Sequence, residues 1–108
     1  MRVLVVDDIP VTRAFVRRLL EAKADCEVVG EAEDGAAAVR EARRLEPDAV
    51  ILDLHMPVMG GFAAARLIKE SLPEVLIVVH SSSLPRAVTE LLEEIGVDKV
   101  VDKGDREG

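Results

Sequence analysis

Three aspartates, a serine pair and one lysine carry the chemistry open to this sequence. The stretch VILDLHMPVMGG, residues 50–61, ends an apolar run in Asp53 and closes on Gly60 and Gly61. A carboxylate at the tip of an apolar run is costly to bury unless it is paired or bound. Two more acids, Asp7 and Asp8, follow the run RVLVV at 2–6. His80, Ser81 and Ser82 stand at the end of VLIVVH at 75–80, and Asp102 and Lys103 follow DKVV at 98–101. If these runs are parallel strands of one sheet, their carboxyl ends share an edge, which is where open parallel sheets form sites. Asp7, Asp8 and Asp53 gathered there would repel one another without a cation. Mg²⁺ suits them, because it takes oxygen ligands, keeps waters, and is often held by one or two carboxylates plus phosphate oxygens. Three carboxylates, one divalent cation and the Lys103 ammonium balance to zero. A phosphoryl group of about −2 on Asp53, replacing one carboxylate charge, moves the site to about −1. One phosphoryl group tips such a site.

The elements that must position these groups are legible as a pattern. Four apolar runs, 2–6, 49–53, 75–80 and 98–101, and a weaker fifth, CEVVGEA at 26–32, are β-branched and continuous rather than alternating. Strands buried on both faces of a parallel sheet read this way. Helical patterns lie between them. Val11, Phe15 and Leu19 recur at i, i+4 and i+8 within residues 11–22, with Pro10 near the first turn, where proline is tolerated. Asp34 is placed to cap a helix over 35–45 that Pro47 ends, and a third helix runs from Gly61 to about Leu72, stopped by Pro73. Leu84, Val88, Leu91, Leu92 and Ile95 form a fourth stripe closed by Gly96. Strand and helix alternate four times before a fifth strand, which predicts an α/β parallel sheet with right-handed crossovers. Only GDREG follows Lys103, so the pattern has room for about one turn of a fifth helix.

Composition narrows the class further. A chain of 108 residues predicts one domain, 1–108, with a core over about 2–103. Trp and Tyr are absent, so the core must be aliphatic. With 21 acidic against 14 basic residues the net charge is −7, which argues against direct nucleic-acid binding and for a cation-attracting site. No run approaches the roughly 20 apolar residues of a membrane span, and MRVLVVDD is not a signal peptide. Cys26 is the only cysteine, so no intrachain disulfide forms and a cytoplasmic domain is expected.

The set DD at 7–8, D-x-x-M-P-x-x-G-G at 53–61, SS at 81–82 and Lys103, with Ser81 22 positions before Lys103, resembles the receiver domain of bacterial response regulators. The resemblance covers about residues 2–103. It implies a flavodoxin-like, doubly wound sheet of five parallel strands in the order 2-1-3-4-5, an order that receivers share with flavodoxins. The resemblance also implies that Asp53 accepts a phosphoryl group from a sensor histidine kinase or phosphotransfer protein, forming an acyl phosphate. Asp8 would ligate Mg²⁺ directly and Asp7 mainly through water, with Asp53 itself and the His55 backbone carbonyl completing the protein's ligands. Ser81 would donate its hydroxyl to a phosphoryl oxygen beside the Ser82 backbone N–H, and Lys103 would supply a point charge. His55 and Ser83, two positions beyond Asp53 and Ser81, are where the family tunes access of water to the phosphorus.

The separate residues also have plainer readings. Asp7 and Asp8 could cap the next helix, Asp53 could end a strand at a turn, and Ser83 could cap the fourth helix. Those readings leave the joint spacing unexplained. Met56 and Met59 read as packing residues, and the His55 imidazole is not counted as a ligand because carboxylate-rich sites favour hard cations. Three departures from the family pattern stand out: Val100 where a Tyr or Phe is common, Gly60 in place of a frequent acid or Asn, and the missing or vestigial fifth helix. That last departure would leave an apolar strip near Val100, Val101 and the fourth strand, suited to a homodimer or a partner. Two other functions compete. An aspartyl-phosphate phosphohydrolase keeps its nucleophile in D-x-D after the first strand, whereas Asp53 ends the third. A phosphorylation-independent scaffold would not need the acids and the lysine.

Overall fold

The computed structural model describes residues 1–56, 58–81 and 85–102. The strands form where the β-branched runs lie: β1 (Arg2–Val6), β2 (Glu27–Ala32), β3 (Ala49–Asp53), β4 (Leu76–Ser81) and β5 (Lys99–Asp102). Four helices alternate with them: α1 (Pro10–Glu21), α2 (Gly35–Leu45), α3 (Gly61–Ser71) and α4 (Arg86–Glu94). The strands pair in the order β2-β1-β3-β4-β5, all parallel. The expected flavodoxin-like order is therefore observed, and no fifth helix occurs among the described residues.

Strand residues alternate between two unequal faces. Leu4, Val6, Val50, Leu52, Ile77 and Val79 point to one side, where Ala38, Val39 and Ala42 of α2, Ala64, Ala65 and Ile68 of α3, and Leu92 of α4 cover them. Alanines along α2 and α3 let these helices sit close to the sheet. Val3, Val5 and Ala49 point to the other side, where α1 lays Val16 and Leu20 over them. Beyond the reach of α1, Leu76 is 43% exposed and Val101 41%. The expected apolar strip is thus present, with one correction: Val100 lies on the opposite side, half-buried against the larger core, because neighbouring strand residues face opposite ways.

Helix α1 also corrects the reading of its stripe. Val11, Phe15 and Leu19 share a helical face, but that face is exposed, and Val16 and Leu20 are the residues turned to the sheet. Polar anchors choose this rotation. The Arg13 guanidinium donates from Nε to Glu31 at 2.8 Å and from Nη1 to the Asp7 carbonyl at 2.7 Å, and Arg17 pairs with Glu31 as well. Leu91 of α4 is likewise exposed while Leu92 is buried, and Leu84 lies outside the described residues.

The helix stops behave as their residue types require. The Asp34 side chain caps α2 by accepting from the Ala37 N–H at 2.7 Å. Gly96 takes φ +98° just beyond α4, a conformation that favours glycine. At the start of the edge strand, the Asp98 carboxylate accepts from the Ile77 N–H at 2.8 Å and meets Lys69 Nζ at 3.2 Å.

Candidate functional site

Asp7 follows β1 directly, and Asp53 is the last residue of β3. The registers Val5↔Ile51↔Val78 and Asp53↔His80 put Asp7, Asp53 and His80 on one side of the sheet, two residues beyond Val5, Ile51 and Val78. Asp7 and Asp53 are buried and Asp8 is half-buried, and one oxygen from each lies within 4.8 Å of the others. That is the convergence expected of them.

Backbone N–H groups hold two of the three acids. Asp7 Oδ1 accepts from the Ile9 N–H at 2.9 Å. The Asp7 main chain donates to the Ala32 carbonyl at 3.1 Å, and its own carbonyl accepts from Arg13. Capping does not account for Asp8, because α1 begins at Ile9 and Pro10 without a side-chain cap. Asp53 Oδ1 accepts from the His55 N–H at 3.3 Å. The loop then turns back so that the Gly61 N–H donates to the Leu54 carbonyl at 2.9 Å. A Cβ on Gly61 would stand 2.3 Å from the Asp53 carbonyl oxygen, so only glycine lets α3 begin this close to the acid. Val58, at the exposed crest of the loop, has φ +67°, a strained conformation for a β-branched residue.

Ser81 ends β4 fully buried, and its hydroxyl has no hydrogen-bond partner among the described residues. Buried hydroxyls are normally satisfied, so an orphan of this kind points to a missing ligand. The His55 side chain is exposed, and Met56 and Met59 pack against the larger core as expected. Ser82, Ser83 and Lys103 lie outside the described residues.

Two features escaped the sequence pattern. Arg13 and Arg17 brace the Asp7 end of β1 through Glu31, whose carboxyl is held below the usual carboxylate range, chiefly by the hydrogen bond from Arg17 and further by Arg13, against the opposing effect of burial. The four-residue spacing of the two arginines was visible, but nothing in one dimension ties them to Glu31. His80 is only 7% exposed, and its Nε2 stands 3.9 Å from Asp7 Oδ2. A histidine closing an apolar strand was the available signal.

The oxygen set fits a hard divalent cation. Two atoms bound to one ion at about 2.1 Å are separated by at most about 4.2 Å, and a retained water extends that reach. Carboxylates without thiolates or a set of imidazoles favour such an ion over softer metals.

A doubly wound parallel sheet with a buried acid cluster at its carboxyl edge defines a receiver-type phosphoacceptor. The chain belongs to the response regulator receiver domain family, matching it over residues 3–107, and is a phosphoacceptor signalling module. It is similar to the response regulator domain of Thermotoga maritima CheB, with 33% identity and a TM-score of 0.91 over 100% of this chain and 80% of that one. It also resembles the receiver domain of the putative NarL regulator from Mycobacterium tuberculosis, at 33% identity and TM-score 0.89 over 96% and 84% of the two chains. Among curated proteins it is 46% identical over 90 residues to protein-glutamate methylesterase/protein-glutamine glutaminase 3 of Hahella chejuensis, covering 82% of this chain and 26% of that protein. The corresponding protein of Geobacter sulfurreducens is 40% identical over 100 residues, covering 93% and 27%. The chain therefore spans about a quarter of the length of these curated relatives.

Proposed function

We propose that Asp53 is the phosphoacceptor of a single receiver domain over residues 1–108, and that its donor is a phosphohistidine on a sensor kinase or phosphotransfer protein. The convergence of Asp7, Asp8 and Asp53 within 4.8 Å carries this reading. One oxygen of Asp53 attacks phosphorus; the O–P bond forms as the donor's P–N bond breaks, and the departing imidazole recovers a proton. Positioning and charge neutralisation supply most of the catalysis in such a transfer. Rigid backbone holds Asp53 at the end of β3, and the His55 N–H steadies one carboxylate oxygen. The Ser81 hydroxyl donates to a phosphoryl oxygen, which gives the orphan group its partner. The Ser82 N–H and the Lys103 ammonium complete the phosphate contacts, as the family resemblance implies.

Asp8, Asp7, Asp53 and the His55 carbonyl would hold Mg²⁺, which when bound supplies positive charge against the phosphoryl oxygens. Hydrolysis of the acyl phosphate by the same site would return the domain to its resting state, and a change in partner binding is the output. No helix among the described residues is long and apolar enough to cross a membrane, and we assign the domain to the cytoplasm.

Incubation with a small-molecule phosphodonor and Mg²⁺, followed by intact-mass measurement, tests the assignment. One phosphoryl group per parent chain is expected, and none on Asp53→Asn. Uptake by Asp53→Asn equal to the parent's would refute it.

A further inference from the structure

Two surface stripes of opposite charge lie on the helical layer over the larger core, and the proposed chemistry uses neither. A groove of about 570 Å³ runs between α2 and α3. Ala36, Val39, Met59 and Leu67 give it an apolar lining, and the exposed Arg40, Arg43 and Arg44 stand along it. It holds three arginines and no acid, in a chain whose net charge is −7. Arg44 pairs with Glu41 at 2.8 Å, and Arg43 Nε donates to Ser71 Oγ at 2.9 Å. The charge open to a partner therefore rests chiefly on Arg40 and on the remaining N–H groups of Arg43. The second stripe is on α4. Ala87, Glu90, Leu91 and Glu94 are all exposed, Leu91 by 47%. Their spacing of i, i+3, i+4 and i+7 sets them on one helical face. On α2, Ala36, Val39, Arg40 and Arg43 have the same spacing. Glu90 also meets Arg86 at 3.4 Å, but both side chains are largely exposed, and such a pair contributes little.

We infer that the acidic stripe of α4 docks in the α2–α3 groove of a second copy of this chain. Leu91 supplies the apolar anchor for the lining of Val39, Met59 and Leu67, while Glu90 and Glu94 meet Arg40 and Arg43. The occupant comes from another molecule. No α4 residue lines the groove, and Leu92 is wholly buried in the larger core, which fixes α4 on its own sheet. Helices α2, α3 and α4 cover the same side of that sheet. One two-fold axis therefore engages both stripes at once, each copy giving its α4 and receiving the other's. The result is a closed dimer. A net charge of −7 makes copies repel in most orientations, so the pairing that joins arginines to glutamates is favoured over the rest.

Sedimentation velocity of the full chain at about 0.15 M salt, without phosphodonor, tests the contact. A small interface of this kind predicts a dimer Kd on the order of 100 µM. Reversing the groove charges with Arg40→Glu and Arg43→Glu should weaken association at least about tenfold. Reversing the stripe charges with Glu90→Arg and Glu94→Arg should do the same. An equimolar mixture of the two variants should return to within about threefold of the parent, because both contacts of the mixed dimer again join opposite charges. All four positions are exposed, and thermal unfolding checks that each variant is folded. A parent that stays monomeric up to about 1 mM would overturn the inference. Variants that associate as the parent does, or a mixture no stronger than its components, would overturn it equally. Assemblies that keep growing beyond two chains with concentration would overturn the two-fold arrangement.

Discussion

The two sides of the sheet are built for different purposes. On the side of α2, α3 and α4, strand residues such as Leu4, Leu52 and Ile77 are wholly buried against small helical residues. On the side of α1 the buried set shrinks to Val3, Val5 and Ala49, and Leu76 and Val101 remain exposed. Yet Asp7, Asp53 and His80 all continue strand positions of this sparser side. The contrast teaches that packing and chemistry are separated across one sheet. Dense packing fixes the strands from one side, and the strand ends hold charged groups at the rim of the other, where less apolar surface must be displaced to make room for them.

The sharpest way to break this comparison is a pair of neighbouring truncations. Ile77→Ala removes a wholly buried side chain and should cost about 2–5 kcal/mol. Leu76→Ala, at a 43% exposed position, should cost under about 1 kcal/mol. Chemical denaturation of both variants checks the difference. Equal losses would mean that the α1 side is covered as well as the other.

A smaller effect is expected in the loop after β3. Val58 is exposed and holds φ +67°, so Val58→Gly should relieve about 1 kcal/mol of backbone strain, partly offset by the greater freedom of glycine in the unfolded chain. A modest rise in melting temperature is the expected reading, and a fall would show that the Val58 side chain contributes more than its strain costs.

The smallest effect concerns the bracing of α1. The Glu31 carboxyl is held below its ordinary value by Arg17 and Arg13, so its contribution to stability is present above the unfolded carboxylate value of about 4.3 and lost as pH falls through the lower folded value. Glu31→Gln should therefore destabilise the domain at neutral pH, by an amount that shrinks as pH falls through the lowered folded value. Unfolding midpoints from about pH 2.5 to about pH 7 would test this, and a gap between parent and variant that does not narrow on acidification would count against it. Partial exposure of these side chains keeps the effect small.

Much of this protein was legible in one dimension, for identifiable reasons. Strand identity followed from β-branched runs, helix limits from Asp34, Pro47, Gly61, Pro73 and Gly96, and the members of the acid cluster from their places at strand ends. These signals are local, because each depends on backbone preference or on a hydrophobic period within one element. Strand order came from the family resemblance rather than from the pattern, since any parallel order is compatible with alternating strands and helices.

Tertiary structure decided what local pattern leaves open. Periodicity marked Val11, Phe15 and Leu19 as a helical face but could not say which way it turns. Arg13 and Arg17, reaching Glu31 and the Asp7 carbonyl, rotate Val16 and Leu20 inward instead. Val100 and Val101 are equally apolar in sequence, and strand pleating sends one to the larger core and leaves the other exposed. His80 read as one more strand residue until the register set it beside Asp53 and within 3.9 Å of Asp7. For α1 and for His80 the deciding contact joins residues apart in the chain. Its energy depends on distance and burial, which exist only once the sheet has assembled.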